Sequence, residues 1–500
     1  MGLAERVREV LTIAPETGAI EFEERWRSWG EQKAVFDRVE QALDGAKLAP
    51  GAGVALITHN RPAQAAAALA IVASRRVLVM VNPHQSAASI AEDIESLKTP
   101  ALILDVEDWA TPGIAEVARR FTRLAVTVDR RGAPAIVHRA ADSGTIVWKP
   151  EQPEVAIEML TSGTTGKPKR INLAFGDLEA SIWNLLKGEW ARDQSGQLRI
   201  NMTPGLIYAP LGHIAGLFFL FFLTCDARRF VLLERFKVEP WVSAVRRHKL
   251  KNTGLVPSAV RMVMDANVPK EDLASLVALG SGTAPLSTDL WEAFEKRYGI
   301  PLLPTYGSTE FAGAVVNWTI KDHRQFIATK RGAAGRPIPG SKVRIVDPQS
   351  GEELPRNAEG LVEVSSNQLR GGEWVRTTDL GRMDEDDFLF IVGRADGAIN
   401  RGGFKILPEE IEVVLRRHPD VLDAAVIGLP DARLGQVPAA AVEVKPGHRR
   451  PSAAELEAFA REHLVRYKVP ARILVLDALP RTPSMKPILP ALRDLFLQEE

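Results

Sequence analysis

The chain has 500 residues, enough for more than one domain, and its 45% hydrophobic and 25% charged residues are ordinary for a globular protein. Lys plus Arg and Asp plus Glu both total 63, so no net charge attracts nucleic acid, and we expect no nucleic-acid partner. The one cysteine, Cys225, excludes a disulfide framework and cysteine-rich zinc sites, and its apolar surroundings predict a core residue rather than a nucleophile.

The N-terminus reads MGLAERVREVLTI, a mixed-charge amphipathic pattern that lacks the apolar centre of a signal peptide. The longest apolar run, residues 214–224, is shorter than the roughly 20 residues that cross a bilayer. We therefore expect a cytoplasmic protein without a membrane span. Monomer and homodimer both remain open.

Residues 1–50 predict helices, and apolar strands alternating with helices follow them. The predicted strands cover residues 51–59, 77–81, 101–105, 124–128 and 156–160, with helices after Arg61 and over residues 86–97. This alternation is typical of an α/β fold whose parallel sheet is covered by helices on both faces.

The last of these strands leads into LTSGTTGKPKR, residues 160–170. Glycines let backbone N–H groups approach a phosphate, hydroxyls donate further hydrogen bonds, and lysines add charge. The segment is not a Walker loop, because two residues rather than four separate Gly163 from Gly166 and Pro168 follows Lys167. The pattern predicts an anion-binding loop, with a plain polar turn as the alternative.

Residues 173–190 predict a helix with Asn172 as its N-cap, and an apolar helix then begins after the glycine-spaced loop that contains His213. A lone histidine beside an apolar helix is more often a packed core residue than a functional one. Residues 253–257 and 276–286 are predicted strand-to-loop junctions, and ligands of open α/β sheets bind at such carboxyl ends.

A further junction reads LLPTYGSTE, residues 302–310. Its residue types suit a nucleotide: Tyr306 to stack on a base, Thr309 to donate to a phosphate, and Glu310 to hold Mg²⁺. Magnesium favours one or two carboxylates together with substrate phosphates.

After residue 330 the pattern changes to strands at residues 343–346 and 361–364 around a turn, which predicts a small antiparallel β subdomain. Asp379 and Arg394 follow, either as a surface ion pair or as hydrogen-bonding groups for a sugar diol. From residue 396 we predict a separate α/β domain with strands at 421–429 and 439–444 and a helix at 452–464. Its Pro-rich tail holds Lys486, which local evidence alone indicates is a solvated lysine.

Taken together, these junctions resemble the ANL superfamily of adenylate-forming enzymes, most closely acyl-CoA synthetases. Six motifs occur in family order: TSGTTGKPK, PLGHIAG, SGTAPL, YGSTE, the TTD and GR pair, and RGGFKI with PEEIE and a late lysine. The resemblance implies a large N-terminal domain of α/β subdomains with a small β-barrel-like subdomain, residues 1–395. A small mobile C-terminal domain, residues 396–500, would follow.

The resemblance also implies the site residues. ATP-binding positions are Thr161, Ser162, Gly163, Thr164, Thr165, Gly166, Lys167, Gly282, Thr283, Ala284, Tyr306, Gly307, Ser308, Thr309, Asp379 and Arg394. Catalytic positions are Lys486, Glu310 and His213, with Glu310 and Thr165 at the metal. The acyl pocket includes Tyr208, His213, Gly282 and Gly307. The coenzyme A path includes Arg401, Gly402, Gly403 and Phe404, and Asp396 is the hinge.

The implied reaction joins a carboxylic acid to the α-phosphate of ATP, releases pyrophosphate, and passes the acyl group to coenzyme A. A carboxylate is already ionised at pH 7, so no general base is needed. The difficulty is bringing anions together, which calls for positioning and positive charge from Mg²⁺ and Lys486. The implied cofactors are therefore ATP, Mg²⁺ and coenzyme A.

The apolar helix after His213 carries no acidic residue, which favours an apolar acyl or aryl acid over an amino acid. Two alternatives stay open: a ligase that loads an acyl carrier protein, and a non-catalytic nucleotide-binding relative. Three positions depart from the family pattern: Thr378 replaces a glycine, Met485 a small residue, and Arg170 a less bulky residue.

Overall fold

The computed structural model describes residues 2–83, 85–129, 134–139, 147–160, 170–186, 197–308, 311, 313–367, 372–395, 397–401, 404–431, 433–482 and 485–498. The N-terminal elements are α1 (Leu3–Ile13), β1 (Gly18–Phe22), β2 (Arg25–Ser28) and α2 (Trp29–Gly45). The prediction of helices throughout residues 1–50 is therefore wrong. A hairpin separates the two helices, and its turn residues Glu23 and Glu24 both have positive φ, of 51° and 61°.

The first α/β region comprises β3 (Gly53–Ile57), α3 (Pro62–Ala73), β4 (Val77–Val81), α4 (Ala87–Leu97), β5 (Ala101–Asp105), α5 (Ile114–Phe121), β6 (Leu124–Val128), β7 (Pro134–Arg139), β8 (Val155–Leu160) and β9 (Arg170–Ala174). These strands form one sheet in the order β7-β6-β5-β3-β4-β8-β9. Its inner strands pair in parallel, while β7 and β9 at the edges pair antiparallel. Alternate residues of β3 enter different apolar clusters, so both faces are covered, as predicted.

Helix α6 (Phe175–Leu186) begins two residues later than expected. Leu173 lies in β9, buried and paired with Ile157 of β8, and Asn172 is a strand residue rather than an N-cap. The predicted helix therefore includes residues that belong to a strand. The formation of a short antiparallel edge strand depends on pairing with its neighbour rather than on a periodic pattern in its own sequence. Residues 187–190 lie outside the described part of the chain.

A second sheet connects the N-terminal hairpin to the middle of the chain. The next elements are β10 (Asn201–Ile207), α7 (Ile214–Cys225), β11 (Arg228–Leu232) and α8 (Val238–His248). The strand order is β10-β11-β1-β2, in which β1 pairs in parallel with β11. Cys225 is fully buried at the end of α7, which confirms that it packs in the core.

The third sheet provides one side of the candidate site. Its region comprises β12 (Asn252–Gly254), α9 (Pro257–Asp265), α10 (Lys270–Leu273), β13 (Ala278–Ser281), α11 (Thr288–Tyr298), β14 (Leu302–Ser308), β15 (Gly313–Asn317), α12 (Ile320–Lys330) and β16 (Arg336–Pro337). The strands lie in sequence order, with β12, β13 and β14 parallel. The predicted junctions at residues 253–257 and 276–286 therefore follow neighbouring strands.

The predicted antiparallel subdomain is confirmed. Strands β17 (Ser341–Val346), β18 (Gly360–Ser366), β19 (Val375–Met383) and β20 (Leu389–Arg394) form a four-stranded antiparallel sheet. Its apolar cluster includes Val362, Val364 and Leu389, and Tyr306 packs against it.

The C-terminal region has its own sheet and its own apolar clusters. Its elements are β21 (Ile399–Arg401), β22 (Phe404–Ile406), α13 (Pro408–Arg416), β23 (Val421–Asp431), β24 (Gly435–Val444), α14 (Ala453–His463), β25 (Arg472–Leu476) and α15 (Leu489–Gln498). The predicted strands and helix are confirmed, and β25 adds a parallel strand beside β24. The boundary at residue 396 remains a prediction. Within the described ranges, every helix is too short or too polar to cross a bilayer.

Candidate active site

The loop after β13 lies against the neighbouring strand. A β-carbon on Gly282 would lie 3.3 Å from the carbonyl oxygen of Thr305 on β14, so glycine permits close backbone approach. Thr283 follows with a φ of 71°, a left-handed conformation that is uncommon outside glycine. Ala284 continues this loop. The predicted adenine-binding segment is therefore an irregular turn at the carboxyl end of a parallel strand, where ligands of such sheets bind.

Tyr306 lies on β14, and its hydroxyl donates a hydrogen bond to Asp379 Oδ2 at 2.6 Å. Burial, together with the negative charge of Asp379, raises the pKa of the phenol, so it remains a proton donor at neutral pH. The next residue, Gly307, has no room for a side chain, because a β-carbon would lie 2.1 Å from the Gly313 carbonyl oxygen. Ser308 ends the strand opposite Gly313.

Asp379 and Arg394 lie directly opposite each other on the antiparallel strands β19 and β20. Arg394 Nε is 4.0 Å from Asp379 Oδ1, and the two side chains are 39% and 22% exposed. Thr377 fixes the backbone, since its hydroxyl accepts from Asp379 N–H and donates to the Val362 carbonyl. The structure thus places a fixed carboxylate and a guanidinium side by side at a partly open edge.

Thr378, the first departure from the family pattern, contributes to this edge. Its hydroxyl oxygen accepts a hydrogen bond from Arg394 Nη2 at 2.6 Å, while its carbonyl accepts from Ala395 N–H. A glycine at this position would offer Arg394 no such side-chain partner. We name the group Tyr306, Thr378, Asp379 and Arg394 the ribose edge, after the role that the family resemblance predicts for Asp379 and Arg394.

His213 is the N-cap residue of α7, with an extended backbone and no side-chain capping bond. Two close approaches shape the loop before it: a β-carbon on Gly212 would lie 2.7 Å from Thr58 Oγ1, and one on Gly216 2.2 Å from the Pro210 carbonyl oxygen. The sequence predicted a glycine-spaced loop: Gly212 lies in that loop, whereas Gly216 lies in the first turn of α7 and lets the helix approach the loop at Pro210.

Asn60, which the sequence analysis missed, anchors the same loop. It is 4% exposed; its amide donates to the carbonyls of Ala209 and Leu233, and its oxygen accepts from Leu211 N–H at 2.7 Å. A polar residue directly after a buried strand was the available signal. Its partners, 149 to 173 residues away, could not be read from the sequence.

Tyr208 begins this loop, and its hydroxyl accepts a hydrogen bond from Val256 N–H at 2.7 Å. Burial raises the pKa of the phenol, and the ring packs edge-on against Phe236. Tyr208 thus connects the His213 loop to the segment after β12. Its assignment to an acyl pocket, with His213, Gly282 and Gly307, remains a prediction.

In the C-terminal region, Arg401 Nη1 donates to the backbone carbonyl of Tyr467 at 2.6 Å, and Phe404 begins the paired strand β22. Lys486 lies in a tight turn in which Thr482 N–H donates to the Lys486 carbonyl and Lys486 N–H donates to Thr482 Oγ1. The tail lysine is therefore held by its backbone in a defined turn.

Several predicted site residues lie outside the described part of the chain: Thr161, Ser162, Gly163, Thr164, Thr165, Gly166, Lys167, Thr309, Glu310, Asp396, Gly402 and Gly403. Within the described ranges, no three His, Cys, Asp or Glu residues cluster as metal ligands would. The assignment of Mg²⁺ to Glu310 and Thr165 therefore stays a prediction.

Solved structures of two synthetases share this fold over almost the whole chain. The amide bond synthetase from Marinactinospora thermotolerans aligns with a TM-score of 0.79 at 26% identity, covering 99% of this chain and 100% of that one. The o-succinylbenzoate CoA synthetase from Bacillus subtilis, in complex with its acyl-adenylate intermediate, aligns with a TM-score of 0.76 at 25% identity, covering 98% of each chain.

The sequence comparisons agree with the fold. The chain belongs to the AMP-binding enzyme family, whose model matches residues 7–373, and the AMP-binding enzyme C-terminal domain matches residues 410–486. A 2-succinylbenzoate–CoA ligase of Bacillus subtilis is 28% identical over 497 residues, covering 96% of both chains. A 4-coumarate–CoA ligase of Oryza sativa subsp. japonica is 29% identical over 499 residues, covering 92% of this chain and 87% of the relative.

Proposed function

We propose that this chain is an AMP-forming acid–thiol ligase. It activates an apolar acyl or aryl carboxylic acid as an acyl-adenylate, releases pyrophosphate, and transfers the acyl group to coenzyme A. The observation that carries this proposal is the ribose edge, where Tyr306 and the strand register hold the Asp379 carboxylate beside Arg394. A fixed carboxylate accepts hydrogen bonds from a ribose diol, and the neighbouring guanidinium donates.

The chain's remaining site residues supply charge and position. Lys486, a point cation, neutralises the anion that forms as the acid meets the α-phosphate. The resemblance implies that residues 161–167 would bind the other phosphates and that Glu310 and Thr165 would hold Mg²⁺, which would supply further positive charge when bound. Glu310 offers the hard carboxylate oxygen that Mg²⁺ prefers, so the residue types fit the ion.

The two half-reactions need different surfaces at the same pocket, because the thiol must reach the acyl carbon after pyrophosphate has left. We assign residues 1–395 to a large domain and residues 396–500 to a small domain that swivels about Asp396 between the steps. The turn with Lys486 then leaves the pocket and the Arg401–Phe404 segment reaches it. Arg401, bound to the backbone carbonyl of Tyr467, moves with the small domain.

Coenzyme A is the favoured acceptor, because the two relatives described above, which match nearly the whole chain, are both named as CoA ligases. An acyl carrier protein is the nearer alternative, since it presents the same phosphopantetheine thiol. An amine is a further alternative, supported by the amide bond synthetase among the similar structures. Neither alternative changes the adenylation half-reaction.

The test has two stages. ATP–pyrophosphate exchange with a panel of fatty, benzoic and cinnamic acids should identify acids that are adenylated, and an inert enzyme would contradict adenylation. The active acid is then offered with coenzyme A, phosphopantetheinyl carrier protein or a primary amine. We expect the thioester of coenzyme A as the main product. If added hydroxylamine traps the acyl-adenylate as a hydroxamate but no thioester of coenzyme A forms, the CoA-ligase assignment is refuted.

The third alternative, a non-catalytic nucleotide-binding relative, has its own readout. Such a protein would show an ATP-dependent rise in melting temperature without pyrophosphate exchange. An acid that stabilises the fold further only when ATP is present would indicate a bound adenylate, because a tightly bound product raises stability with its concentration.

A further inference from the structure

The turn that carries Lys486 contains a backbone conformation that needs support. Met485 has a φ of 65°, in the left-handed region that favours glycine, at the position where the family pattern has a small residue. A residue is held in such a conformation when several surrounding contacts together fix its backbone. The contacts that hold Met485 therefore also decide the position of the lysine that follows it.

Backbone pairing closes this turn at its base. Arg481 and Pro487 form an antiparallel bridge, and Ile488 N–H donates to the Pro480 carbonyl at 2.8 Å. Inside the bridge, Met485 N–H donates to the Thr482 carbonyl at 2.8 Å. These bonds fix the ends of the turn, but they leave the Met485 carbonyl to another donor.

That donor is Arg481, whose Nη1 reaches the Met485 carbonyl at 3.1 Å. Its Nη2 bonds Asp423 Oδ2 at 2.7 Å and Glu443 Oε2 at 2.9 Å. All three charged side chains are at most 20% exposed. The guanidinium thus joins β23 and β24, two strands of the C-terminal sheet, to the turn between Arg481 and Pro487 that carries Lys486, which we call the lysine turn.

The carboxylates that hold Arg481 are themselves fixed. Asp423 Oδ1 accepts from Arg416 Nη1 and from Ala424 N–H, and Glu443 Oε2 also accepts from Leu479 N–H. Burial alone would raise the pKa of Asp423, but the charges of Arg416 and Arg481 outweigh burial and lower it. Asp423 stays ionised and keeps Arg481 in place at neutral pH.

We propose that Arg481 is a positioning residue for adenylation: clamped by Asp423 and Glu443, it sets the turn that presents Lys486 to the α-phosphate. This inference rests on the proposed function. In this role Arg481 would act through the Met485 carbonyl and the lysine beyond it, and not through contact with substrate or the reacting atoms.

Separate measurement of the two half-reactions distinguishes a positioning role of Arg481 from a general structural role. Lys486 serves adenylation, whereas transfer from supplied acyl-adenylate to coenzyme A does not use it. For Arg481→Met we expect the rate of pyrophosphate exchange at saturating ATP and acid to fall at least about tenfold, with transfer within twofold of the parent. Arg481→Lys, which cannot bond both carboxylates and the carbonyl together, should give an intermediate exchange rate.

Arg449→Met is the matched control, because Arg449 is a more exposed arginine of the same region, paired with Glu455 far from the lysine turn in sequence. It should leave both half-reactions unchanged. Equal losses in exchange and transfer for Arg481→Met would overturn the proposal, as would no loss in either.

Hydrogen–deuterium exchange of the peptide spanning residues 479–490 tests the clamp without substrate. Arg481→Met should lose amide protection in the lysine turn while the strands β23 and β24 keep theirs; unchanged protection in the turn would overturn the proposal. If the parent were inert with every acid, the proposed function would fail, and this measurement would still decide whether Arg481 orders the turn.

Discussion

The ribose edge and the lysine turn are both organised by an arginine and a carboxylate, yet they are built differently. At the ribose edge, Asp379 and Arg394 face each other because two paired strands fix their register. At the lysine turn, a short segment depends on one guanidinium that binds two partly buried carboxylates and a backbone carbonyl.

This difference bears on how each site tolerates substitution. A strand ladder distributes the positioning over many backbone hydrogen bonds, so losing one side chain leaves the others in place. A turn held by a partly buried ionic cluster has few supports, and removing one partner leaves a charge that is poorly solvated and uncompensated. We therefore expect graded losses at the ribose edge and steep losses at the lysine turn.

The largest effect is expected for a substitution of Lys486 in the lysine turn. Lys486→Ala should slow pyrophosphate exchange by about 10²–10³-fold, the usual cost of removing a charge-stabilising group from a transition state. Transfer from supplied acyl-adenylate should persist. Exchange equal to that of the parent would remove Lys486 from the mechanism and favour the non-catalytic alternative.

The next effect tests the charge cluster behind the turn. Glu412 accepts a hydrogen bond from Val426 N–H and lies 3.5 Å from Arg416, which also binds Asp423. Burial raises the pKa of Glu412 from 4.5 to about 7. The unfolded chain releases this proton near pH 4.5 and the folded chain near pH 7, so stability falls as pH rises through that window, on the order of 3 kcal/mol.

Glu412→Gln removes this titration and keeps a hydrogen-bond acceptor. Relative to the parent, the variant should gain stability between pH 5 and pH 8, as measured by denaturant unfolding at both pH values. A constant difference between the two proteins across that range would show that Glu412 does not titrate there.

A smaller effect tests the ribose edge. Tyr306→Phe removes the hydrogen bond to Asp379, and bonds to charged groups contribute about 1.5–3 kcal/mol. We expect the KM for ATP to rise about tenfold with kcat within twofold, measured by exchange at varied ATP. Tyr298→Phe is the control: it removes the buried hydroxyl bond to the Val268 carbonyl and should lower stability without changing this KM.

The smallest effect concerns Thr378. Thr378→Gly restores the residue of the family pattern and removes the hydroxyl that accepts from Arg394. We expect a rise of about threefold in the KM for ATP, in keeping with one partly exposed hydrogen bond. Thr378→Ser keeps the hydroxyl and should match the parent; a Ser variant as weak as the Gly variant would argue against the hydrogen bond.

The sequence singled out Asp379 and Arg394 but left open a surface ion pair or hydrogen-bonding groups for a sugar diol, and their role at a ribose was implied only by the family resemblance. The structure pairs the two residues across β19 and β20, while the ribose role stays a prediction. Thr378 was identified only as a departure, since a motif does not show which side chain a hydroxyl will meet. Arg481 was not identified at all. Its partners lie 58 and 38 residues earlier in the chain, and their meeting depends on the completed sheet.

The wrong prediction for residues 1–50 has a local and a non-local cause. Two-residue hairpin turns usually carry Asn or Gly, whereas this one carries Glu23 and Glu24 in left-handed conformations. The short strands gain their support from β11, through pairs such as Ile20 with Phe230. No pattern within the first 50 residues records that partner.

That pairing also has a consequence during synthesis. At roughly 5–20 residues per second, the ribosome needs about 10–40 s between producing β1 and producing β11. An isolated hairpin is only marginally stable in water. During that interval the apolar face of the nascent N-terminus therefore lacks its pairing with β11. Slower translation of this stretch, or a shortage of chaperones, should therefore reduce the yield of protein without altering the enzyme that does fold.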